Sequence, residues 1–102
     1  MSYTTKDLKS TSTDASWTVS FKTFDGDIAH HISNPSDSSL ILQASSSVED
    51  GELLLQIQKG DRIESIPLKE QQVVLKSWGE GDIIIRIIGK AARNGKVEFT
   101  WR

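Results

Sequence analysis

Trp17-Thr18-Val19-Ser20-Phe21-Lys22-Thr23-Phe24-Asp25-Gly26-Asp27-Ile28-Ala29-His30-His31-Ile32 is the stretch whose spacing decides the fold. Trp17, Val19 and Phe21 alternate with Thr18, Ser20 and Lys22. Successive strand side chains point to opposite faces, so this is the period of a strand with one buried side. Asp25-Gly26 reads as a turn, after which Ile28, His30 and Ile32 resume the alternation up to a second turn, Asn34-Pro35-Ser36-Asp37.

The signal repeats downstream. Leu40 to Ala44 reads as a strand, Glu49-Asp50-Gly51-Glu52 as a charged turn, and Leu53, Leu55 and Ile57 as the inner face of the next strand. Lys59-Gly60-Asp61-Arg62 has the composition of a two-residue hairpin loop, with Gly supplying the positive backbone angle. That loop sets Ile57 opposite Glu64, Leu55 opposite Ile66, Leu53 opposite Leu68, and Gln56 opposite Ser65. Val73 to Leu75 make a further strand and Ser77-Trp78-Gly79-Glu80-Gly81 a Gly-rich turn. A last hairpin is expected to set Ile83, Ile85 and Ile87 against Trp101, Phe99 and Val97. Ile84 and Ile88 make the outgoing strand apolar on both sides, which predicts a central position in its sheet.

Eight of the first sixteen residues are Ser or Thr and show no periodicity. Such a segment offers too little apolar surface to offset its ordering entropy, so residues 1–16 are expected to form a disordered tail and residues 17–102 a single domain. No window shows a sustained helical period, and the eleven Ile favour pleated sheet. The expected fold is all-β, an antiparallel sandwich of about seven or eight short strands. A small barrel is the alternative, since its strands share the same in-out alternation.

Composition removes several function classes. The absence of Cys excludes a disulfide framework, a thiolate metal site and a Cys nucleophile. A net charge of -2 is the wrong sign for a nucleic-acid partner. No apolar run exceeds three residues, Ile83 to Ile85 among them. A transmembrane span needs roughly 20, so none is expected, and the N-terminus has no apolar stretch of signal-peptide type.

Gly81-Asp82-Ile83-Ile84-Ile85-Arg86-Ile87-Ile88-Gly89-Lys90-Ala91-Ala92-Arg93-Asn94-Gly95-Lys96-Val97-Glu98-Phe99-Thr100-Trp101 resembles the closing hairpin of small, mostly uncharacterised secreted proteins and lipoproteins of Gram-positive bacteria. These share a Gly, an alternating apolar strand, a Gly, a short Ala/Lys/Gly loop and a final strand ending in Trp. Trp17 to Gly26 is similar to their opening strand, and the Ser/Thr tail to the linker that follows their lipid-anchored cysteine. This chain departs at Ile83, where an aromatic is usual, at Arg93-Asn94, where the loop is one residue longer, and in lacking that cysteine. The resemblance implies a β-sandwich on the cell envelope, extracellular or at the cell surface, with a cytoplasmic location as the alternative. It brings no catalytic residues.

Individual residues add little chemistry. His30 and His31 are adjacent on a strand, so they point to opposite faces and cannot grip one ion. His30 is expected to be partly buried between Ile28 and Ile32, and His31 in solvent. Asp25-Gly26-Asp27, Glu49 to Glu52 and Glu80-Gly81-Asp82 could offer Ca²⁺ ligands, but the same residues are what turns use, and no EF-hand pattern is present. No Gly-x-Ser-x-Gly elbow or phosphate loop occurs. No catalytic residue, metal ligand or cofactor is nominated. Lys90, Arg93, Lys96 and Arg102 read as a basic cluster near the last loop, solvating a turn or attracting an anionic wall polymer.

Trp17 and Trp101 fall in register with core positions, whereas Trp78 sits in a Gly-rich loop. There it either caps the end of the sandwich or contacts a ligand. Trp78 and Glu80 are the candidate ligand-binding residues, an apolar platform beside a polar anchor. The leading functional expectation is a monomeric, non-catalytic binding or structural module of the cell envelope, with a glycan, wall polymer or protein as partner. A carbohydrate-binding module and a small hydrolase are the competing readings.

Overall fold

Seven antiparallel strands make up nearly all of the structure, a computed structural model that describes residues 4–35 and 40–102. They are β1 (Thr4–Lys6), β2 (Lys9–Thr13), β3 (Ser16–Asn34), β4 (Ile41–Lys59), β5 (Arg62–Pro67), β6 (Gln71–Val74) and β7 (Gly81–Trp101). A 3-10 turn, Leu75–Trp78, is the sole helical element among the described residues. The strand order is β1-β3-β7-β4-β5, with β2 also on β3 and β6 also on β4. The two ends of this order do not meet, so the antiparallel all-β fold is an open sheet and the barrel alternative is not adopted. β7 is central, as the apolar Ile84 and Ile88 on its second face required.

The strands are not all short. β3 and β4 have 19 residues each and β7 has 21. Straight, β7 would extend about 69 Å at roughly 3.3 Å per residue, yet the longest dimension of the molecule is 39 Å. The long strands therefore bend, and the register shows where. It shifts between Phe24 and Gly26 against β7, and between Asp50 and Glu52 where β4 meets β7. These are β-bulges, each adding a residue to one strand and sharpening its twist.

Three of the expected turns are thus corrected. Asp25-Gly26 and Glu49 to Glu52 are bends inside continuous strands, and Gly89 to Asn94 is not a hairpin loop but part of β7. Gly51 has φ +85, and a Cβ there would collide with the Ala91 carbonyl, so the corner requires glycine. Turns and bulges use the same residues because both need positive φ. The expected pairing of Ile83, Ile85 and Ile87 with Trp101, Phe99 and Val97 does not form. Ile83, Ile85 and Ile87 pair with Ile32, His30 and Ile28, while Val97 and Phe99 pair with Val19 and Trp17. All six of those β7 residues are nonetheless buried, because the bend folds the sheet over on itself.

Two layers result. One holds β2, the first half of β3, the second half of β7, the first half of β4, and β6. The other holds the second half of β3, the first half of β7, the second half of β4, and β5. Trp17 stacks on Phe99 within the first layer at 5.5 Å and on His30 from the second at 5.2 Å, and His30 also meets Trp101 at 5.7 Å. The alternation of apolar residues continues through the bends, so one concave face forms the whole core.

Residues 4–13 correct the expectation of a disordered tail. β2 pairs with β3 from Lys9↔Ser20 to Thr13↔Ser16, and β1 pairs with residues 23–25. Ser10 Oγ accepts a hydrogen bond from Trp17 Nε1 at 2.8 Å, and Leu8 packs against the core. A polar segment without apolar periodicity can still be ordered when an existing strand edge offers it backbone hydrogen bonds. Residues 1–3 of that tail and Ser36-Asp37 of the second expected turn lie outside the described residues. The β4–β5 hairpin follows the expected register, with Ile57↔Glu64, Leu55↔Ile66 and Gln56↔Ser65, and Leu68 N donates to the Leu53 carbonyl at 3.0 Å.

Candidate functional site

Trp78 is the first residue to place, and it is only 7% exposed. A 3-10 helix has three residues per turn, so Leu75 and Trp78 stack on one side, and that side is the core. Three clamps hold the segment. Asn34, 2% exposed, donates through Nδ2 to the Leu75 carbonyl at 3.0 Å and to the Gly79 carbonyl at 2.7 Å. Arg62, from the hairpin end of β5, donates to the Ser77 carbonyl at 2.9 Å and lays its guanidinium 3.7 Å from the centre of the Trp78 ring. The Lys59 side chain lies against Gly79 and Gly81. Trp78 therefore caps the end of the fold. Glu80 is exposed, but without an accessible ring beside it the pair is not a platform and anchor. The assignment of Trp78 and Glu80 as a ligand site is withdrawn for that reason.

His30 is half-buried on the inner face and His31 is exposed on the outer one. Burial lowers the His30 pKa from 6.5, and the neighbouring His31 lowers it further. Among the described residues no group of three or more His, Asp or Glu is placed to hold a metal ion. The basic cluster disperses along β7: Lys90 stands opposite Glu52, Arg93 opposite Asp50, and Lys96 pairs with Glu98 at 2.9 Å.

The two outer faces differ in chemistry. On the second layer, Ile84 and Ile88 of β7 stand beside Leu54, Pro67 and Ile63, around a polar row in which Arg86 donates to Gln56 Oε1 at 2.7 Å and pairs with Asp27 at 3.4 Å. On the first layer the outer face is polar except at its rim, where the exposed Ile41 and Val74 stand opposite each other. One row runs Thr13, Ser16, Thr100, Gln43, Gln72 across five strands. The next runs Thr11, Thr18, Glu98, Ser45, and a third runs Lys9, Ser20, Lys96, Ser47. Two shallow depressions of about 190 and 290 Å³ lie on this face and share Ser45 and Glu98. These residues were not singled out from sequence, because small polar residues alternating with apolar ones are also what any solvent-facing strand carries.

Comparison with family models, curated proteins and solved structures yields no match.

Proposed function

We propose that this chain is a non-catalytic binding or structural module of the cell envelope, and that it presents the polar outer face of its first layer to a polyhydroxylated wall polymer. The observation that carries the reading is the set of three in-register rows of hydroxyl, amide and charged side chains across β2, β3, β7 and β4. Ser and Thr hydroxyls both donate and accept, Gln does both through separate atoms, and Glu98 accepts. A face with donors and acceptors interleaved at strand spacing suits a ligand that is itself a lattice of hydroxyls. The envelope location rests on the resemblance to Gram-positive secreted proteins. This reading takes over the carbohydrate alternative and moves it from Trp78 to the sheet face.

The test is titration of the isotope-labelled protein with purified wall polysaccharide. Shifts are expected at Thr18, Ser45, Glu98 and Thr100. The triple variant Thr18→Val, Ser45→Ala, Thr100→Val should abolish binding with its unfolding midpoint retained. Shifts confined to other surfaces, or none with any wall fraction, would refute it.

A further inference from the structure

We infer that the edge of β3 from Asp27 to Asn34, which no described strand covers, is a homodimer surface that pairs antiparallel with the same edge of a second copy of this chain, about a two-fold axis at His30. The inference is independent of the polar face proposed above.

The second half of β3 pairs with β7 on one side, and no described strand pairs with its other side. An open edge is a row of unsatisfied donors and acceptors that proteins usually shorten, charge or interrupt with proline. The other edges of this sheet follow that rule. β1 has three residues, β2 has five and includes Lys9, β6 has four, and β5 contains Arg62, Glu64 and Pro67. The β3 edge does not. It reads Asp27-Ile28-Ala29-His30-His31-Ile32-Ser33-Asn34, and its one carboxylate, Asp27, is engaged by Arg86.

The flank of the core is also incomplete there. Ile28 and His30 point inward but remain half-exposed, whereas their cross-strand partners Ile87 and Ile85 are fully buried. A strand added at this edge would cover both.

The occupant follows from self-complementarity. Antiparallel pairing centred on His30 sets Ile28 opposite the second copy's Ile32, Ala29 opposite its His31, and Asp27 opposite its Ser33. His30 meets its own copy on the axis, the apolar Ile28 and Ile32 pair on either side of it on the inner face, and Asp27 meets a hydroxyl and not a carboxylate. An isologous contact of this kind closes after two copies, so it gives a dimer and not a fibre.

Sedimentation velocity over a dilution series, with hydrogen exchange at high and low concentration, tests the proposal. The mass should move between 11.3 kDa and twice that value, and amide protection within residues 27–34 should rise with concentration. Ala29 and His31 are exposed on the outer face, so charges there leave the core intact. The variants Ala29→Lys/His31→Lys and Ala29→Glu/His31→Glu should each be monomeric, and an equimolar mixture should restore the dimer. A wild-type protein that stays monomeric at every concentration overturns the proposal, even if a foreign peptide adds to the edge. So does a dimer that both variants retain, or a mixture that fails to recover one. The exchange pattern in the wild-type protein decides the matter if a variant does not fold.

Discussion

The guanidinium of Arg62 lies 3.7 Å from the centre of the Trp78 ring, which ties the hairpin end of β5 to the 3-10 turn that closes the opposite end of β6. The contact separates two effects. Trp78→Ala should cost about 3 to 5 kcal/mol through lost core packing. Arg62→Ala should cost only about 1 kcal/mol, the scale of a partly exposed cation–π contact, while raising solvent quenching of Trp fluorescence. Urea unfolding of both variants checks the difference. Equal losses would mean that the Arg62 clamp, and not the buried ring, carries most of the turn's stability.

Gly95 lies directly beneath the Phe21 ring, and a Cβ at that position would enter the ring's van der Waals envelope. Gly95→Ala should therefore destabilise by about 1 to 3 kcal/mol, the usual range for overpacking. Phe21→Leu in the same chain should recover part of that loss, giving a non-additive double-mutant cycle in thermal unfolding.

His30 should give the fold a pH dependence of definite sign. Its folded pKa lies below the ordinary value of 6.5, because burial disfavours the imidazolium and His31 adds repulsion. The unfolded chain then binds the proton more readily, so stability rises with pH across the window between the folded and unfolded values. The contribution is complete above about pH 6.5 and is lost as pH falls towards the lower folded pKa. Denaturant midpoints between neutral pH and the carboxylate range should fall in the wild-type protein. His30→Gln should remove that part of the slope.

Residues 4–13 should be structural. Ser10→Ala removes the acceptor for Trp17 Nε1 and should cost about 1 kcal/mol, the net value of such a hydrogen bond with its donor left partly buried. Deletion of residues 1–13 should lower the unfolding midpoint further and increase amide exchange along residues 16–24. An unchanged midpoint after deletion would show that β1 and β2 contribute nothing to stability.

Much of this was legible in the chain because period-two alternation reports burial wherever a sheet has one dry face. Trp17, Val19, Phe21, Leu53, Leu55, Ile57, Ile83, Ile85, Ile87, Val97, Phe99 and Trp101 are all core. The Lys59 to Arg62 loop was legible too, because a two-residue loop fixes the pairing on both sides of it. The bends were not. Asp25-Gly26 and Asp50-Gly51 have the composition of reversals, and whether the chain turns back or carries on depends on β7, whose Lys90 and Arg93 stand opposite Glu52 and Asp50 at the Gly51 corner. β2 escaped for the opposite reason: its order comes from backbone pairing, on which composition is silent. Of the two readings of Trp78, capping is the one that holds and the ligand site is not: a loop with two glycines reads as open chain, whereas three-residue helical spacing turns the ring inward.

The central position of β7 bears on how the chain is made. β3 and β4 do not pair with each other; each pairs with β7. During synthesis the two earlier long strands emerge with exposed edges and apolar faces, and neither can be completed until residues 81–101 have left the ribosome. Only the β4–β5 hairpin and the short ladders with β1, β2 and β6 are available before then. Assembly of this domain therefore waits on its last strand, and the nascent chain is most open to chaperones, and to mispairing with its neighbours, until that strand arrives.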